Sequence, residues 1–353
     1  MRARWISTIA AAMALGVVAG CSSPASPPAT SSAAPLAWVD DEVTFDSGGL
    51  TIHGTLHRPA SGAPVPAAVI IAGSGPTDRD GNSRLLPGTV NTLKSVAAML
   101  ADAGVASLRY DKLGSGQTGA GRYATDPGAL GADVFIGEAR DALTYLASRP
   151  SVDRNRLSAY GHSEGALFAL QLAASRSGPT VRSVGLLEPL SRRYLDIVSR
   201  QVTDQVTAAV KAGSMSRADG DALLATLSSA ITQVRTSGTV PGDLPPALGS
   251  VLNPGTARFL QEMDRIDPQE LARSLPARYP VLLTCSDADI QVSCTDVDHL
   301  AAGLTAADPT FVRLSGVSHV LKEDPSRDPS KYTAPLPFSA RAGTAITAFA
   351  GRH

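Results

Sequence analysis

The segment Leu157-Ser158-Ala159-Tyr160-Gly161-His162-Ser163-Glu164-Gly165, followed by the apolar run Ala166-Leu167-Phe168-Ala169-Leu170, constrains this chain strongly. It reads as a short buried strand, an abrupt turn and a helix, with a serine at the apex. Gly161 and Gly165 flank that serine. Lacking side chains, they let strand and helix close tightly on each other. Ser163 then sits strained, with its hydroxyl above the end of a sheet. The helix opening at Glu164 directs its N–H groups and positive dipole end at the space beside that hydroxyl. A serine that merely caps a helix has the same local sequence, so the reading depends on what surrounds it.

The rest of the chain alternates between strand and helix patterns. Glu42–Asp46 and Leu50–Arg58 alternate around Ser47-Gly48-Gly49 and read as a β-hairpin. Ala67–Ala72 is an apolar strand, and Thr89–Ala103 carries helical spacing at Val90, Leu93, Val96, Ala97 and Leu100. Val105–Tyr110 is the next strand. A Gly-rich loop from Asp111 to about Gly128 and a helix from Gly131 to Ser148 follow. Beyond the elbow come the helix Glu164–Ser175 and the strand Val181–Leu187. This alternation predicts a mostly parallel sheet covered on both faces. It breaks at residues 191–276, where Leu195, Val198, Val202, Val206 and Val210 recur at helical spacing, a packing stripe. Alternation resumes with the strand Val281–Thr284, a helix from Thr295 to Leu304, the strand Phe311–Leu314 and a helix from Phe338 to Phe349. The expected organisation is an α/β core of residues 38–190 and 277–353, with residues 191–276 inserted as a helical lid between late strands.

The N-terminus reads as a targeting signal. Arg2 and Arg4 precede the apolar run Trp5–Val18, which ends in Val18-Ala19-Gly20-Cys21. Residues 1–21 are therefore expected to be a lipoprotein signal, with Cys21 carrying lipid after cleavage. Residues 22–37, almost all Ser, Ala, Pro and Thr, are the expected flexible tether. The domain would hang from the outer face of a bacterial cell membrane, held by its lipid. Of three cysteines, Cys285 and Cys294 then remain, a disulfide candidate in an exported protein; two buried thiols are the alternative. A net charge of −1 with no basic block and 5% aromatics excludes a nucleic-acid surface.

A serine hydroxyl needs a base, and the base an orienting carboxylate. In sheets of this kind the chain order is serine, acid, histidine. Only His299, His319 and His353 follow Ser163. His353 is the last residue and His299 lies within an expected helix. His319 follows the last expected strand, where catalytic groups gather, and is the expected base. The preceding strand leads into Thr284-Cys285-Ser286-Asp287-Ala288-Asp289-Ile290. Asp289 is favoured as the acid over Asp287, which suits a turn cap, with Glu188 a distant third. The expected oxyanion donors are the Glu164 N–H and, in the loop Ala72-Gly73-Ser74-Gly75-Pro76, the Ser74 N–H.

Four landmarks carry a resemblance: Ile71-Ala72-Gly73-Ser74-Gly75-Pro76-Thr77-Asp78-Arg79-Asp80-Gly81-Asn82, Arg109-Tyr110-Asp111-Lys112-Leu113-Gly114-Ser115-Gly116, Gly161-His162-Ser163-Glu164-Gly165 and Ser318-His319-Val320-Leu321-Lys322. With them, residues 42–350 resemble the α/β-hydrolase superfamily. The first and last are most similar to bacterial esterases of the EstD group, near the serine-aminopeptidase-like branch. The resemblance implies Ser163, Asp289 and His319 as a triad and Ser74 and Glu164 as oxyanion donors. Two departures stand out: Ala72 where many relatives have His, and Ser286 where relatives often have Gly. The charges of Thr77–Asn82 are expected to hold the oxyanion loop rather than to catalyse.

The expected activity is hydrolysis of a small-molecule carboxylic ester, with no metal or organic cofactor. Aminopeptidase or thioesterase activity on the same triad is the alternative. A peptidase needs a lid carboxylate for the substrate ammonium. Asp196, Asp204, Glu262 and Asp264 are available, although expected to be solvated. A non-catalytic ligand-binding lipoprotein is the reading from another class.

Overall fold

The computed structural model describes residues 37–353. The expected signal, the lipidation residue Cys21 and all of the tether but Ala37 lie outside the described residues. In chain order the elements are β1 (Trp38–Ser47), β2 (Leu50–Pro59), β3 (Val65–Ile71), α1 (Thr92–Asp102), β4 (Ala106–Tyr110), α2 (Ala132–Ala147), β5 (Val152–His162), α3 (Glu164–Ala174) and β6 (Val181–Leu187). There follow α4 (Tyr194–Lys211), α5 (Arg217–Ser237), α6 (Pro246–Gly249), α7 (Ala257–Asp264), α8 (Pro268–Arg273), β7 (Pro280–Ser286), α9 (Cys294–Ala301), β8 (Asp308–Leu314) and α10 (Ala340–Ala350).

The eight strands form one sheet in the order β1-β2-β4-β3-β5-β6-β7-β8. β1 and β2 pair antiparallel around Gly48 and Gly49, whose φ values of 58° and 79° suit glycine in a tight hairpin turn. β2 also runs antiparallel to β4, and every pairing from β4 to β8 is parallel. Both faces are covered, as expected for such a sheet. Along β3, Val69 and Ile71 enter a core with Leu143 and Leu146 of α2 and Leu167 and Phe168 of α3. Ala68 and Ile70 point the other way, to Leu93, Val96 and Leu100 of α1 and Ile346 and Phe349 of α10. That alternation is the two-residue period of a strand serving two cores. Each such fully buried Leu, Ile or Phe contributes about 1.5–3 kcal/mol.

The element edges differ modestly from expectation. β1 begins at Trp38 and β8 at Asp308, because pairing with a neighbour extends strands beyond their apolar centres. α1 starts later, at Thr92, because Asn91 adopts a left-handed φ of 56°. α4 to α8 occupy the chain between β6 and β7. Leu195, Leu227, Ile231, Val234 and Leu260 form a small core of this insert's own. Met263, Ala272 and Leu275 join the main core instead, so the insert's last part is built into the body.

Glu138 of α2 is fully buried, and both its oxygens accept from the Leu113 N–H, at 3.1 and 3.3 Å. Burial outweighs that bond and the nearby Lys112 ammonium, and pushes the carboxyl up to about 8. In the unfolded chain the group ionises near 4.5. The stability it contributes by keeping its proton is complete below about pH 4.5 and is lost as pH rises toward 8. The full linkage is at most on the order of 5 kcal/mol. We expect the thermal midpoint to fall between about pH 5 and 8. Glu138→Gln, which cannot ionise, should flatten that fall; equal slopes in the two proteins would exclude Glu138 as its source.

Candidate active site

The elbow follows from its glycines. A Cβ on Gly161 would collide with the Gly165 carbonyl, and one on Gly165 with the Ile71 and Ala72 carbonyls. Only glycine lets β5, α3 and the end of β3 approach this closely. Between them Ser163 is held at φ 56°, ψ −121°, a conformation that side-chain-bearing residues rarely adopt. Its backbone is pinned on both sides: Ser163 N donates to Leu187 O at 2.9 Å, and Leu190 N donates to Ser163 O at 3.0 Å. A serine opening a helix ordinarily caps it. Ser163 makes no side-chain cap hydrogen bond, so its hydroxyl is left for other work.

His319 comes from the loop after β8 and Asp289 from the loop after β7. His319 Nδ1 donates to Asp289 Oδ2 at 2.7 Å, and the Asp289 side chain has no exposed surface. The other carboxylate oxygen accepts from Gln291 N at 2.6 Å and Val292 N at 2.9 Å. Burial alone would raise Asp289. The His319 ring and these two N–H groups outweigh it and hold the carboxyl below its ordinary value. Asp287 lies elsewhere: it accepts from Ser315 Oγ at 2.8 Å and Gly316 N at 2.7 Å, closing the loop that leads to His319. His299 sits in the last turn of α9, and His353 packs beside Phe349. The hydrogen bonds formed at the site join Asp289 to His319. Ser163 and His319 meet across a shared cavity of 480 Å³, which Ser74 also borders.

The expected oxyanion loop is braced from beneath. Lys112 Nζ donates to the Gly73 carbonyl and lies 3.5 Å from Glu164 Oε1. The Gly73 carbonyl and the Ser74 N–H belong to one trans peptide and point in opposite directions. Lys112 therefore fixes the N–H expected to donate. Arg79 holds the same loop to the sheet through Asp111 at 2.9 Å, with Glu42 as a second partner. Thus Arg79 makes structural ion pairs. Lys112 went unremarked in the sequence because its partners are distant in the chain, although it stands within the Arg109–Gly116 landmark.

Two further groups surround the pair. His162 Nε2 donates to the His319 carbonyl at 2.7 Å, and the two rings lie 4.8 Å apart. A carbonyl only accepts, so Nε2 carries the proton. Burial, and after it the neighbouring His319, push His162 down to about 3, so the ring is neutral. Glu188, the weakest acid candidate, lies against Asp289 rather than at His319. It is wholly buried at φ 45°, and neither carboxyl oxygen accepts a hydrogen bond. Burial first, then the Asp289 charge, raise it well above its ordinary value.

Cys285 and Cys294 form a disulfide with a Cα–Cα separation of 5.2 Å, closing the segment that carries Asp289. A loop of this length is worth about 2–3 kcal/mol by chain entropy. We expect Cys285→Ser with Cys294→Ser to lower stability by about that much and kcat by about tenfold, with KM little changed. Ester hydrolysis and chemical denaturation of the double variant measure both. Unchanged kcat would show that the loop holds Asp289 without the bridge.

The four candidate carboxylates of the insert are occupied. Asp196 meets Arg235 at 2.6 Å, Asp204 meets Arg200 at 3.0 Å, and Glu262 meets Arg258 at 2.8 Å. Asp264, expected to be solvated, is instead buried, and binds Arg193 and Arg235 at 2.8 Å each and the Leu195 N–H at 2.9 Å. It knits α4, α5 and α7 together.

No protein-family model and no curated protein matches the sequence. Solved structures do resemble it. The esterase Pf2001 of Pyrococcus furiosus superposes with a TM-score of 0.55 at 15% identity, over 89% of this chain and 91% of that one. Est1E of Butyrivibrio proteoclasticus, with ferulic acid bound, gives 0.51 at 18% identity, over 79% and 91%. The alpha/beta hydrolase GrgF of a Penicillium species gives 0.50 at 19%, over 80% and 91%. At such identities the likeness is one of architecture. It coincides with an eight-stranded sheet whose antiparallel pairings are confined to β1, β2 and β4, and with a serine turn at the carboxyl end of β5. The chain has the α/β-hydrolase fold.

Proposed function

We propose that this protein is a serine hydrolase that cleaves carboxylic esters of short to medium acyl chain. The observation that carries the reading is Ser163: strained at the head of α3, free of the capping bond its position invites, and facing the cavity that His319 borders. Ser163 Oγ attacks the ester carbonyl while His319 takes its proton. Asp289 keeps Nδ1 of His319 protonated, which leaves Nε2 to act as base. The oxyanion is received by the N–H groups of Ser74 and Glu164, the latter at a helix N-terminus. His319 then protonates the leaving alcohol, and later activates the water that releases the acid. These steps need no metal and no organic cofactor. The names of Pf2001 and Est1E as esterases support the same reading. The EstD-like landmarks at Ile71–Asn82 and Ser318–Lys322 favour that branch.

Aminopeptidase activity is disfavoured because Asp196, Asp204, Glu262 and Asp264 are all engaged by arginines. Thioester cleavage would use the same groups. The signal-like residues 1–21, with Cys21 as lipid carrier, and the Ser/Ala/Pro-rich 22–37 support a protein tethered to the outer face of the cell membrane. A serine-directed fluorophosphonate tests the chemistry. We expect one adduct, on the peptide holding Ser163, and parallel loss of p-nitrophenyl ester hydrolysis. A folded protein that takes no label would instead be the non-catalytic ligand-binding lipoprotein.

A further inference from the structure

We infer that the substrate is the ester of a two- or three-carbon acid with a bulky, largely apolar alcohol. This rests on the esterase reading above. Two cavities of unequal size meet at Ser163. One, of 480 Å³, is walled by His319, Tyr332, Ile290, Val320 and Leu93. The other, of 50 Å³, is walled by Glu164, Leu190, Tyr194, Ile197, Val198 and Val292. Ser163, Ser74 and Gln201 border both.

The chemistry decides which half of an ester enters which cavity. In acylation the bond from Ser163 Oγ to the carbonyl carbon forms and the bond from that carbon to the alcohol oxygen breaks. The serine proton passes through His319 to that alcohol oxygen. The alcohol oxygen therefore lies against the imidazole. His319 borders the large cavity and not the small one, so the alcohol extends into the large one. The carbonyl oxygen is directed at the N–H groups of Ser74 and Glu164. Both residues wall the small pocket, which receives the acyl chain. Water then cleaves the acyl–Ser163 bond, and the acid departs with the proton returned to the serine.

Size sets the class. At about 10–15 Å³ for each water-sized group, 50 Å³ admits about four such groups, enough for the three or four non-hydrogen atoms of an acetyl or propionyl group with its carbonyl included. The wall is firm, because Leu190, Ile197, Val198 and Val292 are all buried. The large cavity has the volume of a drug-sized ligand. Its rim carries Leu85 and Leu86, 76% and 43% exposed, two of the three large apolar side chains exposed on the described surface. An apolar alcohol would cover them.

Two ester series test this with the full-length protein. In p-nitrophenyl esters from acetate to octanoate, kcat/KM should fall at least about tenfold between acetate and hexanoate, since a pocket discriminates about 10-fold or more per misfit methylene. In acetates of primary alcohols of matched acidity, from ethyl to 2-(1-naphthyl)ethyl, it should rise at least about tenfold. Ile197→Ala and Val198→Ala enlarge the small pocket, and each should raise the hexanoate-to-acetate ratio about tenfold or more. Hexanoate cleaved as well as acetate by the wild type, or ratios unmoved in both variants, would overturn the assignment while leaving the esterase reading intact. No cleavage of any ester, or cleavage that survives Ser163→Ala, would overturn the esterase reading and this inference with it.

Discussion

Ser163→Ala should lower kcat for p-nitrophenyl acetate by about 10⁴- to 10⁶-fold while leaving the fold unharmed. The size of the loss follows from covalent chemistry: without the oxygen there is no acyl intermediate, and only binding and the oxyanion donors remain. The indifference of the fold follows from the structure, since the hydroxyl makes no cap hydrogen bond and its loss leaves no broken pair. The thermal midpoint should stay within about 3 °C. His319→Ala should cost about as much, and the double variant no more than either alone, because the groups act as one unit. Additive losses, or a Ser163→Ala protein that retains a tenth of the activity, would dismiss Ser163 as the nucleophile.

Asp289→Asn should lower kcat by about 10⁴-fold with KM nearly unchanged. An amide cannot keep the proton on Nδ1 of His319, so the imidazole presents the wrong tautomer to the serine. Asp287→Asn should stay within about tenfold of the wild type, because that side chain serves only the Ser315–Gly316 turn. The contrast between two aspartates two residues apart makes the test sharp. The same carboxylate has a pH signature. Its folded-state value is depressed, so the stability it contributes is present above the ordinary carboxylate range and is lost only as pH falls through the depressed value. Asp289→Asn should therefore lose its stability deficit in strong acid, as urea denaturation at descending pH would record. Equal activity of the two variants would return the acid's role to Asp287 or Glu188.

What could be read from the sequence was whatever is encoded locally. The serine turn is announced by Gly161 and Gly165 because the close approach that needs them lies within a few residues and at the end of β3. His319 and Asp289 are legible from their places after the last two strands, since an α/β sheet gathers its loops at the strands' carboxyl ends. The covering of both sheet faces was legible from the apolar run Ala67–Ala72 and the helical spacing of α1. What escaped depends on partners far away in the chain. His162 is an ordinary residue until its ring reaches the His319 carbonyl, 157 positions on. Lys112 acquires its purpose only when the Gly73 carbonyl is above it. Asp264 reads as a polar residue at the end of an amphipathic helix, yet two arginines and a backbone N–H draw it into the interior. Glu188 was weighed as an acid, and the structure sets it against Asp289, the carboxylate that holds His319. The strand ends were misplaced by a few residues because pairing lengthens strands past the apolar run that reveals them.

The Cys285–Cys294 bridge gives the site a history. Closing it removes two electrons and two protons from the chain, and the ring so formed contains Asp289. With both thiols reduced, the chain carries Asp289 on an open segment between β7 and α9. Oxidation then completes the arrangement. Readiness to act is thereby tied to the redox state of the surroundings.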